Sequence, residues 1–246
     1  MTGRDWSNTP TKNYNSFMAQ LVFDIETVGM PLESFDEAQQ QYLLKWAERE
    51  ETTELQQRKR EELISQFNLY PFTAQVVAIG MLNVESRKGR VYYQAPAKES
   101  WRSEDNLIEY ESGSEIEILK KFWEDVRLYK QLITFNGRSF DCPFLMLRSA
   151  VLGIKPSRNL MPSRSDTEHI DLLEQLTFHG VTRRFNLDFY CRAFGIASPK
   201  GRLSGPQVNQ LFAEGKYREI AQYCADDVRA TAELYRRWRE LLSFEE

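Results

Sequence analysis

Acids with a chemical use stand at three places in the 246-residue chain. The first is Asp24-x-Glu26, in Phe23-Asp-Ile-Glu-Thr27. In an extended chain, positions 24 and 26 put their side chains on one face. Two carboxylates so placed repel unless a cation lies between them, and a carboxylate pair is a natural ligand set for a hard divalent metal. The second is Asp141, in Asn136-Gly-Arg-Ser-Phe140-Asp141, directly after the apolar run Leu132-Ile-Thr-Phe135. A strand end followed by a glycine turn and a helix start is where α/β proteins place functional groups. A carboxylate in a first helical turn is also favoured by the helix dipole, so Asp141 reads equally as a ligand and as a helix cap. The third is Tyr223-Cys-Ala-Asp226-Asp227. Tyr223 and Asp227 are four apart and share a helix face with Cys224 and Val228. An acid on an apolar stripe is costly unless it is paired or metal-bound, whereas an isolated tyrosine there reads first as a core residue. Together the three places offer four carboxylates and a phenol. Four converging acids can hold two divalent ions, which suits phosphodiester hydrolysis.

The elements that must position these groups are legible in outline. Leu21, Val22, Phe23 and Ile25 read as a buried strand that ends at Gly29-Met30-Pro31. Residues 32–66 hold nine acids and five bases. Their sparse stripe of Phe35, Tyr42, Leu43, Trp46 and Leu55 predicts one or two exposed helices in a charged insertion, a solvated surface facing away from substrate. Residues 74–84 and 90–95 read as a hairpin about Arg87-Lys88-Gly89. Ser112 and Glu115 have capping-box spacing, ahead of a helix expected to bury Ile116, Leu119, Phe122, Trp123 and Val126. Residues 131–135 form a further strand, and a helix through Phe144, Leu145, Leu147 and Val151 follows. Short helices are expected near 170–177, 186–194 and 205–213, and a long one from about Tyr217 to Leu242. A mixed sheet flanked by helices is the implied α/β class.

The order Phe-Asp-Ile-Glu-Thr, Asn-Gly-Arg-Ser-Phe-Asp, Tyr-Cys-Ala-Asp-Asp resembles the three motifs of the DEDD exonucleases, which have a ribonuclease H-like fold. It is most similar to the stand-alone 3′–5′ exonuclease family related to the proofreading domain of family-B DNA polymerases, over about Leu21 to Leu242. Tyr223 stands where the tyrosine subtype (DEDDy) has its tyrosine. The histidine position is Gln222, and His169 and His179 lie away from it, as structural residues. The resemblance implies one exonuclease domain over 20–246, carrying the insertion; the polar, mixed residues 1–19 ahead of it read as a disordered tail. It implies Asp24, Glu26, Asp141 and Asp227 as ligands of two Mg²⁺ or Mn²⁺ ions, with Tyr223 orienting the attacking water. It places Thr27, Asn136 and Phe140 beside the terminal nucleotides and Lys200 near a phosphate. Asp171 becomes a supporting acid that binds no metal. The expected reaction releases 5′-mononucleotides from the 3′ end of single-stranded DNA. The alternatives are a 3′–5′ exoribonuclease, an endonuclease or integrase on the same fold, or a nucleic-acid-binding or partner-docking subunit without turnover.

Composition bounds these expectations. The formal net charge is −4, from 32 basic and 36 acidic residues. That argues against coating nucleic acid through a broad basic face, but not against an enzyme meeting it at one site. Residues 155–202 hold eight bases and five acids and are the candidate substrate-facing wall. Hydrophobic residues make up 41% of the chain, which excludes wholesale disorder. No apolar run approaches the roughly 18 residues of a membrane span, and the first twenty residues lack a signal-peptide core. Cys142, Cys191 and Cys224 form neither a zinc pattern nor a disulfide framework, which suggests a reducing, cytoplasmic setting. The length leaves no room for a polymerase domain, so proofreading would act in trans.

Overall fold

The strand β1 (Gln20–Gly29) sends its alternate residues to two cores. Leu21, Phe23 and Ile25 enter one, and Val22 and Val28 enter the other. Asp24 and Glu26 share the face of Val22 and Val28. The computed structural model describes residues 19–164, 167–197 and 205–244. The tail at 1–18 and the segment holding Lys200 lie outside the described residues.

On one side β1 pairs antiparallel with β2 (Ala74–Asn83), which continues antiparallel into β3 (Gly89–Gln94). The turn between β2 and β3 takes Arg87 through a left-handed conformation, with φ 59°. Two short strands unseen in the sequence extend this edge: β4 (Ser100–Arg102) and β5 (Ile108–Gly113). On the other side β1 runs parallel to β6 (Gln131–Thr134), and β6 to β7 (His169–Asp171). Among the described residues this makes a seven-stranded mixed sheet in the order β4-β5-β3-β2-β1-β6-β7.

Helices cover both faces. In chain order they are α1 (Glu37–Leu44), α2 (Thr53–Ser65), α3 (Glu115–Val126), α4 (Asp141–Val151), α5 (Leu172–Leu176), α6 (Leu187–Ala193), α7 (Gly205–Ala213) and α8 (Tyr217–Leu241). The amphipathic α3 and α4 pack Leu119, Phe122, Phe144 and Leu145 against Leu21, Phe23 and Ile25. The opposite face takes α8, whose Ile220, Cys224, Val228 and Leu234 recur at four- to six-residue steps and meet Val22, Val77 and Val91.

Several local expectations are corrected. The capping box of α3 is Ser114 with Glu117, not Ser112 with Glu115. The reason is that β5 runs on through Gly113, so Ser112 is still in the sheet. Its hydroxyl donates to the Ala97 carbonyl at 2.8 Å and accepts from the Glu99 amide at 2.7 Å. Glu115 instead accepts from the Val76 amide and pairs with the buried Arg148, both at 2.8 Å. With the helix starting two residues later than the Ser112 cap implies, Ile118 is buried and Ile116 is exposed. Leu147 and Val151 also face out. In the insertion, Tyr42, Trp46 and Leu55 are exposed. A small core of Leu32, Phe35, Leu44 and Phe67 holds this segment instead.

His169 is structural, as expected. Its Nδ1 donates to the Leu160 carbonyl at 3.1 Å, which leaves Nε2 to accept from the Thr134 hydroxyl at 2.9 Å. Burial, then the charge of Arg138, lowers it to about 4. The unfolded imidazole, at about 6.5, therefore takes a proton that the folded one refuses. Stability contributed by the neutral ring is complete above about pH 6.5 and falls as pH drops toward 4, by at most about 3 kcal/mol. His169→Asn is expected to flatten the fall in unfolding free energy between about pH 7 and pH 4 relative to the unsubstituted chain, as read by denaturant melts.

Candidate active site

The carboxylates meet where β1 outruns its neighbour. β6 pairs only with Gln20, Leu21 and Val22 of β1. Beyond that point the β1 amides that faced β6 need another acceptor. Asp141 supplies it: its Oδ1 accepts from the Ile25 amide at 3.0 Å. One hydrogen bond thus fixes the second motif between the two acids of the first. Asp141 is 3% exposed. Burial above all, then the charges of Asp171 and Asp227, push it up from the ordinary carboxylate range.

The loop that delivers Asp141 is held from below by Asp171. Asp171 accepts from the Asn136 and Arg138 amides at 2.9 Å each, and from the Leu173 amide at 3.0 Å. It is buried behind the loop and does not line the cavity. Asn136 takes φ 65°, a left-handed conformation asparagine tolerates. Gly137 follows because a Cβ there would stand 2.5 Å from the Thr134 side chain.

The third motif is brought in by α8, which lies close on β1 and β2. Gly80 pairs with Asp24 across the sheet. A Cβ at Gly80 would come within 2.9 Å of Val228 Cγ1 and 3.0 Å of the Cys224 carbonyl. The missing side chain therefore lets Cys224 and Val228 rest on the strand, with Tyr223 and Asp227 beside Asp24 and Glu26. Gly80→Ala is expected to push α8 outward, at about 1–3 kcal/mol of stability. Activity is expected to fall by about 10²-fold, the cost of an ångström of misplacement. Thermal melts and a strand-degradation assay read the two effects.

Asp24, Glu26, Asp141, Tyr223 and Asp227 all line one cavity of about 720 Å³. Thr27, Asn136 and Phe140 line it too, although the Thr27 hydroxyl donates to the Asn68 carbonyl at 2.7 Å. Asp24, Glu26 and Cys224 can each bring a donor atom within 4.8 Å of the others. The Cys224 thiol lies 3.7 Å from the Asp24 carbonyl, and burial pushes it well up, so it stays protonated and packs as an apolar group. The remaining donors are hard carboxylate oxygens, which fit Mg²⁺ or Mn²⁺. Repulsion at Asp141 is the kind a divalent cation offsets.

Three parts of the wall escape the sequence. Asn68, Leu69 and Tyr70, just past the expected insertion, line the cavity. The signal available was the aromatic run Phe67-Asn-Leu-Tyr-Pro-Phe72. Arg184, Phe185 and Asn186 line another side. Among the described bases of the 155–202 segment, Arg184 alone is in the cavity lining. Arg158 bonds the Tyr129 carbonyl, Arg164 pairs with Glu174 and Arg192 with Asp188. Val208 of α7 also lines the cavity, and Asn209 beside it accepts from the Gly29 amide at 3.2 Å.

Among the described residues no helix is long and apolar enough to cross a membrane, and the three cysteines are buried and in no disulfide. Comparison with known proteins gives the site its context. The chain is 29% identical over 155 residues to a DNA polymerase of Pyrococcus glycovorans, covering 56% of this chain and 20% of the polymerase. It is 28% identical over 158 residues to a DNA polymerase of Thermococcus aggregans, covering 55% of this chain and 8% of the other. It spans a fifth or less of these relatives. The solved family B DNA polymerase of Pyrobaculum calidifontis superposes with a TM-score of 0.55 at 18% identity, over 90% of this chain and 24% of that one. That likeness carries the fold, which is α/β and ribonuclease H-like. Residues 73–243 match the family described as "Predicted 3'-5' exonuclease related to the exonuclease domain of PolB". The match includes Asn136, Asp141, Tyr223 and Asp227, and Asp24 and Glu26 precede it. The chain belongs to this family of predicted 3′–5′ exonucleases related to the exonuclease domain of PolB.

Proposed function

We propose that the protein hydrolyses single-stranded DNA from its 3′ end and releases 5′-mononucleotides. The observation that carries this reading is the meeting of three separate motifs in one cavity: Asp24 and Glu26, Asp141, and Tyr223 with Asp227. Asp24, Glu26, Asp141 and Asp227 would hold two Mg²⁺ or Mn²⁺ ions, whose charge would stabilise the attacking and leaving oxygens. The Tyr223 hydroxyl would orient the water by a hydrogen bond. As the water oxygen bonds to phosphorus, the bond to the upstream 3′-oxygen breaks, and the shortened strand leaves with a 3′-hydroxyl. Thr27, Asn136 and Phe140 would line the seat of the terminal nucleotide. Asp171 keeps the Asn136–Arg138 loop in place and touches no reactant.

The test is degradation of a 5′-labelled single strand with Mg²⁺ or Mn²⁺ and with chelator. A ladder shortening by one nucleotide at a time, abolished by chelator, is expected. A single internal cut would make the protein an endonuclease, and binding without degradation would remove the enzyme reading. RNA degraded in preference to DNA would move the substrate to RNA.

A further inference from the structure

One wall of the cavity does not stop at the cavity. Phe135 and Phe185 both line it. Tyr190 stands edge-on to each, with ring centres 5.9 Å apart in both pairs. Phe185 in turn stacks on Phe189 at 4.2 Å and 10°. Four rings thus run from the acid cluster to the surface, and the last of them, Phe189, is 51% exposed.

Cations accompany the rings. The Arg183 guanidinium lies 5.0 Å from the centre of Phe185, and Arg184 lines the cavity. Both are exposed. Neither forms an ion pair among the described residues, whereas Arg192, on the same helix as Phe189, pairs with Asp188 at 2.9 Å. A half-buried ring and an exposed one, beside exposed arginines that form no ion pair among the described residues, fit a chain of alternating bases and phosphates. A duplex keeps its bases stacked on each other and cannot use them.

Building on the exonuclease reading, we infer that Arg183–Phe189 is a track for the unpaired nucleotides upstream of the scissile bond. Bases stack on the Phe185–Phe189 pair, and Arg184 takes a backbone phosphate. Single-strand selectivity then resides here, outside the acid cluster.

The test is fluorescence anisotropy of a short 5′-fluorescein oligo(dT) in Ca²⁺, with phosphorothioate linkages to block turnover. Phe189→Ala is expected to weaken binding by at least about fivefold, the lower end of what one stacked base is worth. Arg184→Gln is expected to make the salt dependence shallower by about 0.7 in log–log slope, one phosphate contact on a single strand. Tyr42→Ala, an exposed aromatic outside the cavity, is the control and should bind as the unsubstituted chain does. An abasic residue is moved stepwise upstream of the 3′ end. At one position it should weaken the unsubstituted protein and leave Phe189→Ala no weaker than before, a coupling that loss of packing would not produce. If the unsubstituted protein binds and Phe189→Ala and Arg184→Gln match Tyr42→Ala, the track is wrong and the exonuclease reading stands. If the unsubstituted protein fails to bind single strands at all, both fall.

Discussion

Asp227→Ala is expected to abolish strand degradation, with a loss beyond about 10³-fold, more than a single electrostatic group in an active site is usually worth. The protein is expected to stay folded. Asp227 is buried on the sheet-facing side of α8, and its charge is one of the influences raising the Asp141 carboxyl. Removing it relieves that repulsion on Asp141. Without divalent metal the variant should therefore melt no lower than the unsubstituted chain. With metal the two should part. A ligand held by the folded state alone stabilises it by about 2.7 kcal/mol at a hundredfold excess over its dissociation constant, and the variant should lose most of that rise. Asp24→Ala should behave alike. Near-normal activity in either variant would sink the metal assignment. A large drop in melting temperature without metal would show instead that the acid holds the fold together.

Which parts of this site can be read from the sequence depends on how local their geometry is. Asp24 and Glu26 share a face because a strand alternates, and Tyr223 and Asp227 share one because a helix turns in 3.6 residues. Both relations hold within five residues and need no partner. Asp141 is legible only as a position after an apolar run. Its contact is the Ile25 amide, 116 residues away, so ligand and cap cannot be told apart locally. The cavity wall is harder still. Tyr70 follows a charged helix and Phe185 lies in a basic loop, and nothing near either in the chain says that they line the same space. Gly80 carries no signal until α8 is laid upon it.

The fold shows the same division. The longer strands and the amphipathic helices α3 and α8 announce their period, and the burial of Leu119, Phe122, Ile220 and Val228 follows from it. The strands β4 and β7, three residues each, are too short to have one. β7 nevertheless matters to the site, because its last residue, Asp171, holds the Asn136–Arg138 loop through backbone amides. The Ser112 error arises because two serines in Ser-Gly-Ser both have an acid three residues on. Only the length of β5 decides which of them begins the helix.

Tyr223→Phe isolates the chemistry from the fold. Tyr223 is 8% exposed, stands one helical turn before Asp227 and lines the cavity with it. Phenylalanine keeps the ring and its packing and removes only the hydroxyl. A group that orients water acts on the reaction more than on the bound ground state. The rate is expected to fall by about 10²-fold, the low end for a positioned hydrogen-bonding or proton-transferring group. The rise in melting temperature caused by Mg²⁺ or Mn²⁺ should be unchanged, because the four carboxylates are untouched. The contrast with Gly80→Ala makes the result specific. Displacing α8 moves Tyr223 and Asp227 together, so it should depress both the rate and the metal-dependent rise. Removing one hydroxyl should depress the rate alone. A Tyr223→Phe protein that degrades strands at the normal rate would reduce this tyrosine to a core residue and leave the water to be oriented by other groups in the cavity.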